Sequence, residues 1–528
     1  MTVLESVRSL RDLGAFYTPP AAATFMADWL VDADGMRILE PSMGDGVFLR
    51  AIDVSCRSKA LDHVSVLGVE LAQRTFDAVV DSGLLRDGEA RCDDFMNVAP
   101  VSVDGVIGNP PYVRLRNLPR PEADRARTVA ERVLGSPMDP SGSLWMPFVL
   151  HAMEFLRAGG RLAFVLPYDF TYVRYARPLW RRLGGSFGRL RLVRVRERLF
   201  SDILQDVVLL FAADFGGSTP TVDYHIFESV DDLVNQQKAS SSRIRIDAVQ
   251  YGERPFLEAM LSPGLRRLLG GRLRDISVEL GSVARFNIGY VTGHKDFFHP
   301  TPATIRSFGL SASSLTPAVT SARQLRRAGL FSSGLAHGRR NWLYTPAAGP
   351  LTGADDAYVL EGERDGVAER YKCRIRSPWW IVPEVRPPDL LVTVFGEEPQ
   401  MIVNDANLVA SNSLLCGYTR AGVDPRALAI GWYTPLAALN RELQIHALGG
   451  GVFVLVPREI ARVRVPRIPA GAVSANGLDD LLRQGDSARA YERGRNVLRR
   501  ALKLADDEID LIDEGWETLS TWRKAASR

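Results

Sequence analysis

Strand-like and helix-like segments alternate over residues 14–215, and this alternation predicts the fold of the first part of the chain. Short apolar runs that end in turns predict buried strands, whereas apolar residues spaced every three or four positions predict helices. Strands separated by helices favour a mostly parallel, doubly wound α/β sheet, whose ligands bind outside the carboxyl ends of the strands. The predicted strands are 36–41, 65–71, 103–108, 161–170 and 205–215, and the predicted helices are 44–55, 72–83 and 143–160.

The alternation stops at the Gly-Gly-Ser-Thr-Pro segment, which is typical of a break between domains. We therefore expect a first domain over 1–215 and a linker over 216–240. Residues 241–480 mix short strand-like runs with many Gly, Pro and Trp residues, and they predict a second, α+β domain. Periodic Leu, Val and Ile residues among charged ones predict a terminal helical segment over 481–528.

The composition is that of an ordinary globular protein, with 46% hydrophobic and 24% charged residues. No apolar run approaches the roughly 18 residues that a membrane span needs. The four cysteines lie too far apart for a C-x-x-C metal pair, and a chain of 528 residues needs no disulfides to stabilise its core. We expect a cytoplasmic protein without a metal site or a membrane partner.

Arginine dominates the basic residues, since only six of the 65 are lysines. Codon bias in a GC-rich genome is one explanation. However, nine arginines lie between Arg174 and Arg198 with one glutamate and no aspartate. The planar guanidinium suits phosphates and guanine edges, so this stretch is a candidate nucleic-acid surface. The net charge of +3 argues against a general polycation.

Three polar segments follow predicted strands, where a doubly wound sheet binds its ligands. Glu40-Pro41-Ser42-Met43-Gly44-Asp45-Gly46 follows the first strand, and its glycines let a ligand approach the backbone closely. Glu70 ends the second strand, where a carboxylate can accept hydrogen bonds from ribose hydroxyls. Asp94-Phe95 places an acceptor beside an aromatic ring, which suits an adenine base.

The most specific motif is Asn109-Pro110-Pro111-Tyr112, directly after the strand 103–108. The two prolines stop the sheet and fix the backbone. The Asn109 side-chain oxygen and a proline carbonyl can then point at one small target, beside the flat face of Tyr112. This arrangement suits the binding of an amino group on an aromatic ring.

The order of these motifs resembles that of the S-adenosylmethionine-dependent DNA methyltransferases that modify amino groups. The early segment Gly14-Ala15-Phe16-Tyr17-Thr18-Pro19-Pro20 resembles their additional cofactor motif, and a recognition domain comes last. This order is that of the gamma group of adenine-N6 methyltransferases, the TaqI-like enzymes. The resemblance implies a Rossmann-like methyltransferase sheet and a C-terminal target-recognition domain.

The resemblance also implies roles for individual residues. Glu70 would hold the ribose of S-adenosylmethionine, Asp94 and Phe95 its adenine, and Asn109 with Pro110 the substrate amino group. Two aromatic rings, of Tyr112 and Phe200, would stack on an adenine flipped out of double-stranded DNA. The full implied cofactor set is Tyr17, Thr18, Glu40, Ser42, Gly44, Glu70, Asp94, Phe95, Asn109 and Pro111, and the catalytic set is Asn109, Pro110, Tyr112 and Phe200.

More loosely, three segments of the second domain resemble the family's target-recognition domain: R-S-P-W-W (376–380), N-x-x-N (404–407) and G-G-G-x-F (449–453). Base contacts depend on a few side chains in loops, so the sequence does not give the recognition site. The candidates for DNA contact are Asn287, Lys295, Arg374, Arg376, Trp379 and Asn412.

Several alternatives share parts of this pattern. Cytosine-N4 methylation uses a similar tetrapeptide, and so does protein glutamine methylation, although the early Gly14–Pro20 segment and the long C-terminal region argue against the latter. A catalytically inactive DNA-binding subunit is the non-enzymatic alternative. No cysteine lies near the tetrapeptide, which argues against cytosine-C5 methylation. No acidic residue stands two positions before any lysine, so we expect no nuclease core of the common PD-(D/E)xK type within this sequence. The resemblance implies either a modification enzyme that protects host DNA, with a separate restriction endonuclease acting on the same site, or a solitary methylase.

Overall fold

The computed structural model describes residues 18–85, 89–197, 199, 206–237, 239–250, 253–335, 341–351, 353–448, 451–469, 471–472 and 474–525. The chain divides into two compact units, of which the first ends at Ala259 and the second covers Met260–Lys524. Within the part of the chain that is described, no helix is both long and apolar enough to cross a membrane.

Among the described residues of the first unit, nine strands form one sheet. The strands are β1 (Arg37–Glu40), β2 (Ser65–Glu70), β3 (Ala90–Cys92), β4 (Val103–Gly108), β5 (Leu156–Pro167), β6 (Phe187–Val195), β7 (Val207–Phe215), β8 (Thr221–Phe227) and β9 (Ser240–Arg245). Their order is β3-β2-β1-β4-β5-β7-β6-β8-β9. The first five strands in this order, from β3 through β2, β1 and β4 to β5, pair in parallel. Strands β7 and β9 run opposite to the other seven strands. The expected mostly parallel α/β sheet is confirmed.

Helices connect and cover these strands. They are α1 (Pro20–Leu30), α2 (Val47–Lys59), α3 (Gln73–Asp81), α4 (Arg120–Leu134), α5 (Trp145–Met153), α6 (Arg177–Gly184), α7 (Val230–Val234), α8 (Ile246–Gln250) and α9 (Pro255–Glu258). Apolar residues of α1, α2 and α7 pack in one cluster with Ile107, Val165 and Leu209 of the central strands. This cluster is the core beneath the strand ends that carry the predicted site.

The predicted helix over 143–160 is too long. It ends at Met153, and β5 already begins at Leu156. All nine residues of α5 are buried, so its sequence is apolar on every side and gives no sign of where the helix stops. Gly159 and Gly160, which we expected to end the helix, lie inside β5.

The expected linker over 216–240 is also wrong, because β8 and β9 extend the sheet beyond it. β8 pairs in parallel with β6, with Arg191 opposite Asp223 and Val195 opposite Phe227. Alternate residues of β8 are buried, as in a strand with one covered face. The glycine-rich segment before it is therefore a turn within the first unit, and the first unit reaches Ala259.

In the part of the second unit that the structure describes, the strands form four small sheets, which many short helices accompany. Its strands are Ser277–Glu279, Ala284–Ile288, Leu315–Val319, Asn341–Tyr344, Leu390–Thr393, Phe395–Gly396, Met401–Val403, Val409–Ala410, Leu414–Thr419, Ala447–Leu448, Val452–Val454 and Arg464–Pro466. Its helices are Pro263–Gly270, Arg272–Asp275, Leu280–Val283, Lys295–Phe298, Pro302–Phe308, Ala354–Arg364, Tyr371–Arg374, Pro425–Trp432, Pro435–Gln444, Pro457–Ile460, Asn476–Gln484, Ser487–Leu502 and Asp506–Ala525. The expected α+β character is confirmed.

The C-terminal helices are part of this second unit and not a separate segment. Leu482 and Val497 lie in the same apolar cluster as Trp432. The Arg523 guanidinium donates to the Glu442 carboxylate, with N–O distances of 2.9 Å, although both side chains are buried. The boundary that we expected at residue 480 therefore does not separate two cores.

Candidate active site

The predicted site residues lie at one edge of the central sheet. Glu40 ends β1 and Glu70 ends β2, and Asn109 directly follows β4. Because β2, β1 and β4 are parallel neighbours, their carboxyl ends meet at the same edge. The sequence therefore placed these three side chains correctly relative to the strands.

Glu70 links the glycine turn after β1 to the turn after β2. One oxygen of its carboxylate accepts from the Gly44 backbone N–H at 3.0 Å, and the other accepts from Ala72 N–H at 2.9 Å. Gly44 has φ of 53°, a left-handed conformation that favours glycine. Each carboxylate oxygen has a second lone pair, so Glu70 is oriented by the backbone and can still accept from a ligand.

Glu40 is a buried carboxylate without a hydrogen-bond partner among the described residues. Its side chain is completely inaccessible, and neither oxygen accepts a hydrogen bond from a described residue. Burial raises the pKa of Glu40 well above its usual value, and the negative charges of Asp45 and Glu70 add to this effect. The buried Thr18 hydroxyl likewise has no described hydrogen-bond partner. Buried polar groups of this kind are costly unless a ligand completes their hydrogen bonds.

The turn after β1 contacts the tetrapeptide after β4 directly. The Ser42 hydroxyl donates to the backbone carbonyl of Asn109 at 3.1 Å. Gly108 leaves room for this approach, since an added Cβ would lie 3.2 Å from Pro41 Cδ and 3.2 Å from Phe164 Cε1. The two segments that the sequence singled out therefore form one structural unit.

The tetrapeptide itself is firmly packed. Pro110 is buried, whereas Asn109, Pro111 and Tyr112 are half-buried. The Tyr112 ring packs against the apolar cluster beneath the strand ends, and burial raises the pKa of its hydroxyl. A ring that rests on the core is held in one orientation and can support a flat ligand.

Comparisons with known proteins match both units. Residues 6–175 match the family model described as N-6 DNA Methylase. Residues 253–498 match the model described as Type II methyltransferase M.Eco57I, C-terminal domain. The chain is an adenine-specific DNA methyltransferase of the restriction–modification type.

Curated relatives extend over both parts of the methyltransferase. It is 21% identical over 435 residues to Type II methyltransferase M.AccI of Acinetobacter calcoaceticus, and this match covers 78% of this chain and 76% of the relative. It is 24% identical over 512 residues to Type II methyltransferase M.PaeR7I of Pseudomonas aeruginosa, covering 86% of each. Type II methyltransferase M.TthHB8I of Thermus thermophilus is 30% identical over 174 residues, covering 31% of this chain and 37% of that relative.

Asp94 and Phe95 make contacts within the protein that the sequence did not predict. One Asp94 oxygen accepts from the Met96 backbone N–H at 3.0 Å, and the other pairs with the Arg125 guanidinium at 3.2 Å. The Phe95 ring is only 2% exposed and packs on Phe148 and Phe155, with centroid distances of 5.2 and 5.5 Å. The structure therefore assigns Phe95 to the core of the methyltransferase, whereas Asp94 remains near the surface.

Leu71 is a site candidate that sequence reasoning missed. It directly follows Glu70, and its side chain is 58% exposed although it is apolar. An apolar surface beside a ribose-binding carboxylate suits the face of an adenine ring, which Phe95 does not offer. The sequence signal for Leu71 was its position directly after the strand-end acid, but its exposure was not visible in the sequence.

Tyr17 and Phe200, two other predicted site residues, lie outside the described residues.

The arginine-rich stretch of the methyltransferase is less available to phosphate than we expected. Arg194 is 2% exposed, forms an ion pair with Asp206, and lies 3.7 Å from the centre of the Tyr168 ring. Arg189 pairs with Asp214 at 2.6 Å. Further pairs in this stretch are Arg174 with Asp139 and Arg196 with Glu228. These acidic partners lie outside residues 174–198, so the sequence of that stretch alone could not predict the ion pairs.

Two of the predicted DNA contacts in the second unit are structural. The Arg376 guanidinium donates to the backbone carbonyls of Val291 at 2.5 Å and Thr292 at 2.8 Å, and burial lowers its pKa. The Trp379 ring packs on Phe297, with a centroid distance of 5.2 Å. The remaining candidates are half-buried (Asn287) or exposed (Lys295, Arg374 and Asn412).

Proposed function

We propose that the edge formed by β2, β1 and β4 binds S-adenosylmethionine beside an adenine flipped out of double-stranded DNA, and that the methyl group is transferred to adenine N6. The observation that carries this proposal is the hydrogen bond from Ser42 to the backbone of Asn109. It joins the turn that holds the buried Glu40 carboxylate to the tetrapeptide, so a cofactor site and an amino-group site lie side by side.

The residues present fit the cofactor. The Glu40 carboxylate needs a positively charged or hydrogen-donating partner, which the amino group of the methionine moiety would supply. Glu70, which the backbone holds in one orientation, would accept from the ribose hydroxyls. Leu71 would cover one face of the adenine, and Asp94 would accept from its amino group. When bound, S-adenosylmethionine supplies a methyl group that its sulfonium already activates.

The tetrapeptide would raise the reactivity of the substrate amino group. The lone pair of adenine N6 is delocalised into the ring, so N6 is a poor nucleophile. The Asn109 side-chain oxygen and the Pro110 carbonyl would accept both N6 hydrogens and favour a tetrahedral nitrogen. Tyr112 would stack on the base and hold it in line for transfer, so positioning and fixed dipoles carry the catalysis.

The biological context follows from the relatives. M.AccI and M.PaeR7I are Type II methyltransferases, and we infer that this enzyme protects DNA at the site of a partner restriction endonuclease. The motif order supports assignment to the gamma, TaqI-like group. Adenine N6 is inaccessible to chemistry inside a duplex, so the base must leave the stack.

The test is transfer of isotope-labelled methyl from S-adenosylmethionine to duplex DNA, followed by digestion to nucleosides and mass spectrometry. We expect label in N6-methyladenine. Label in N4-methylcytosine would replace adenine with cytosine as the substrate base, and label on protein would overturn the proposal. Binding of DNA without any transfer would support a catalytically inactive DNA-binding subunit instead.

A further inference from the structure

A cavity of about 880 Å³ opens in the second unit. One wall is the strand pair Ala284–Ile288 and Leu414–Thr419, and the other is formed by residues between Lys372 and Arg386. We call this cavity the basic groove and define it by Arg285, Asn287, Lys372, Arg386 and Tyr418.

The strand pair places polar side chains along one wall of the basic groove. Arg285 is paired with Tyr418, and Asn287 is paired with Cys416. Alternate residues of a strand point to opposite faces, so Arg285 and Asn287 share the groove face. Phe286, between them, packs into the apolar core of the unit. The orientation of the groove residues is therefore fixed by the burial of the opposite face.

The groove carries an excess of positive charge. Arg285, Lys372 and Arg386 are exposed, and none of them forms an ion pair with another described residue. Arg386 lies over the Tyr418 ring, 3.9 Å from its centre, which holds the guanidinium in place. Glu384 is the one acidic residue among the lining residues that the structure describes. A polyanion is the partner that this distribution favours.

Asn287 adds a group that charge alone does not explain. Its side chain is half-buried in the groove, and no described residue forms a hydrogen bond with its side-chain amide. A side-chain amide presents one donor and one acceptor side by side. This pair matches the N6 amino group and N7 of adenine in the major groove. Arg285 lies on the same wall as Asn287, and Lys372 and Arg386 lie on the opposite wall. Their positive charges suit the phosphates on either side of such a base.

We infer that the basic groove binds a strand of the DNA substrate, with Asn287 reading one base edge and Arg285, Lys372 and Arg386 holding phosphates. This inference rests on the proposed function, since it takes DNA as the substrate. It divides the groove into one residue that determines sequence specificity and three that determine affinity. The two roles have different experimental signatures.

The first experiment compares full-length enzyme and its Asn287→Ala variant by sequencing DNA methylated in cells, with detection of the modified base. We expect the variant to accept other bases at one position of the recognition sequence, with discrimination there reduced about 10-fold or more. An unchanged recognition sequence, at a methylation rate equal to that of the unmodified enzyme, would overturn the role of Asn287.

The second experiment measures the salt dependence of DNA affinity for Arg386→Ala, Arg386→Lys and Arg306→Ala. Each lost phosphate contact should lower the slope of log affinity against log salt by about 0.9, equally for all DNA sequences. Arg386→Lys keeps the charge, so its slope should stay unchanged. Arg306 is an exposed arginine of the same unit outside the groove, and its variant is the matched control.

An unchanged slope for Arg386→Ala would overturn the phosphate role of the groove. Thermal unfolding of each variant separates this outcome from misfolding, because a folded variant keeps the melting temperature of the unmodified enzyme. Failure of the proposed function looks different, since the unmodified enzyme would then place no label in DNA.

Discussion

At the scale of single residues, Glu40 links the stability of the enzyme to its cofactor. Burial raises the pKa of Glu40 above 4.5, so between that value and the raised pKa the folded protein holds a proton that the unfolded chain releases. A group of this kind stabilises the fold at low pH, and its contribution is lost as the pH rises through this window. A cofactor that neutralises the carboxylate would oppose that loss.

We therefore predict that Glu40→Gln flattens the pH dependence of the free energy of unfolding above pH 4.5, because the amide does not ionise. Urea unfolding of the ligand-free protein at a series of pH values measures this. The unmodified protein should lose stability relative to the variant as the pH rises, while the variant binds S-adenosylmethionine more weakly. Parallel pH profiles for the two proteins would contradict the prediction.

The tetrapeptide gives the sharpest prediction about chemistry. Asn109→Ala should bind DNA and S-adenosylmethionine, but its methyl-transfer step should slow by at least about 100-fold, the order lost with one preorganised contact. Tyr112→Ala should also weaken capture of the base, because stacking contributes about 1–3 kcal/mol. Tyr112→Phe keeps the ring and is the control. Single-turnover transfer separates the variants, and near-normal transfer by Asn109→Ala would exclude the mechanism.

Sequence patterns identified which residue types stand at the strand ends, but not how deeply each is buried. Glu40, Glu70 and Asn109 follow apolar runs, and the parallel sheet then brings them together. Phe95 and Arg194 also stand in the expected segments, yet both are 2% exposed. Their burial depends on Phe148, Phe155 and Asp206, which come from other elements and leave no mark on the local sequence.

At the scale of elements, the turn after β1 and the turn after β4 act together through Ser42. We predict that Ser42→Ala lowers kcat while S-adenosylmethionine affinity is largely kept, because the lost hydrogen bond holds the Asn109 backbone. Its net contribution to stability should be about 1 kcal/mol. Ser58→Ala is the control, since the Ser58 hydroxyl donates to the Ser55 carbonyl at 2.9 Å within α2. Equal kcat for both variants would contradict this coupling.

Elements with a clean apolar pattern were predictable, and elements rich in arginine were not. The strand predicted over 103–108 coincides with β4. β6 was not predicted, because arginines interrupt its apolar residues, although alternate positions are buried. β8 and β9 lie beyond a glycine-rich turn that resembles a domain boundary in sequence. Only their pairing with β6 and with each other shows that they belong to the first unit.

At the scale of the whole molecule, the distribution of unpaired arginines decides which surfaces attract DNA. In the stretch from Arg174 to Arg198, ion pairs with acids from other elements neutralise several guanidinium groups. Arg181 and Arg182 on α6 are exposed, and no described carboxylate pairs with them. If this stretch contacts phosphate, Arg181 and Arg182 can do so without first breaking an ion pair with a described carboxylate.

We predict that the double variant Arg181→Ala and Arg182→Ala weakens DNA binding and lowers the slope of log affinity against log salt by about 1–2, because each phosphate contact releases counterions. Arg189→Ala should leave the slope unchanged, since its guanidinium is already paired with Asp214. Titration of one DNA duplex at several salt concentrations provides the measurement. If the double variant keeps the slope of the unmodified enzyme, as Arg189→Ala is expected to do, then Arg181 and Arg182 do not contact phosphate.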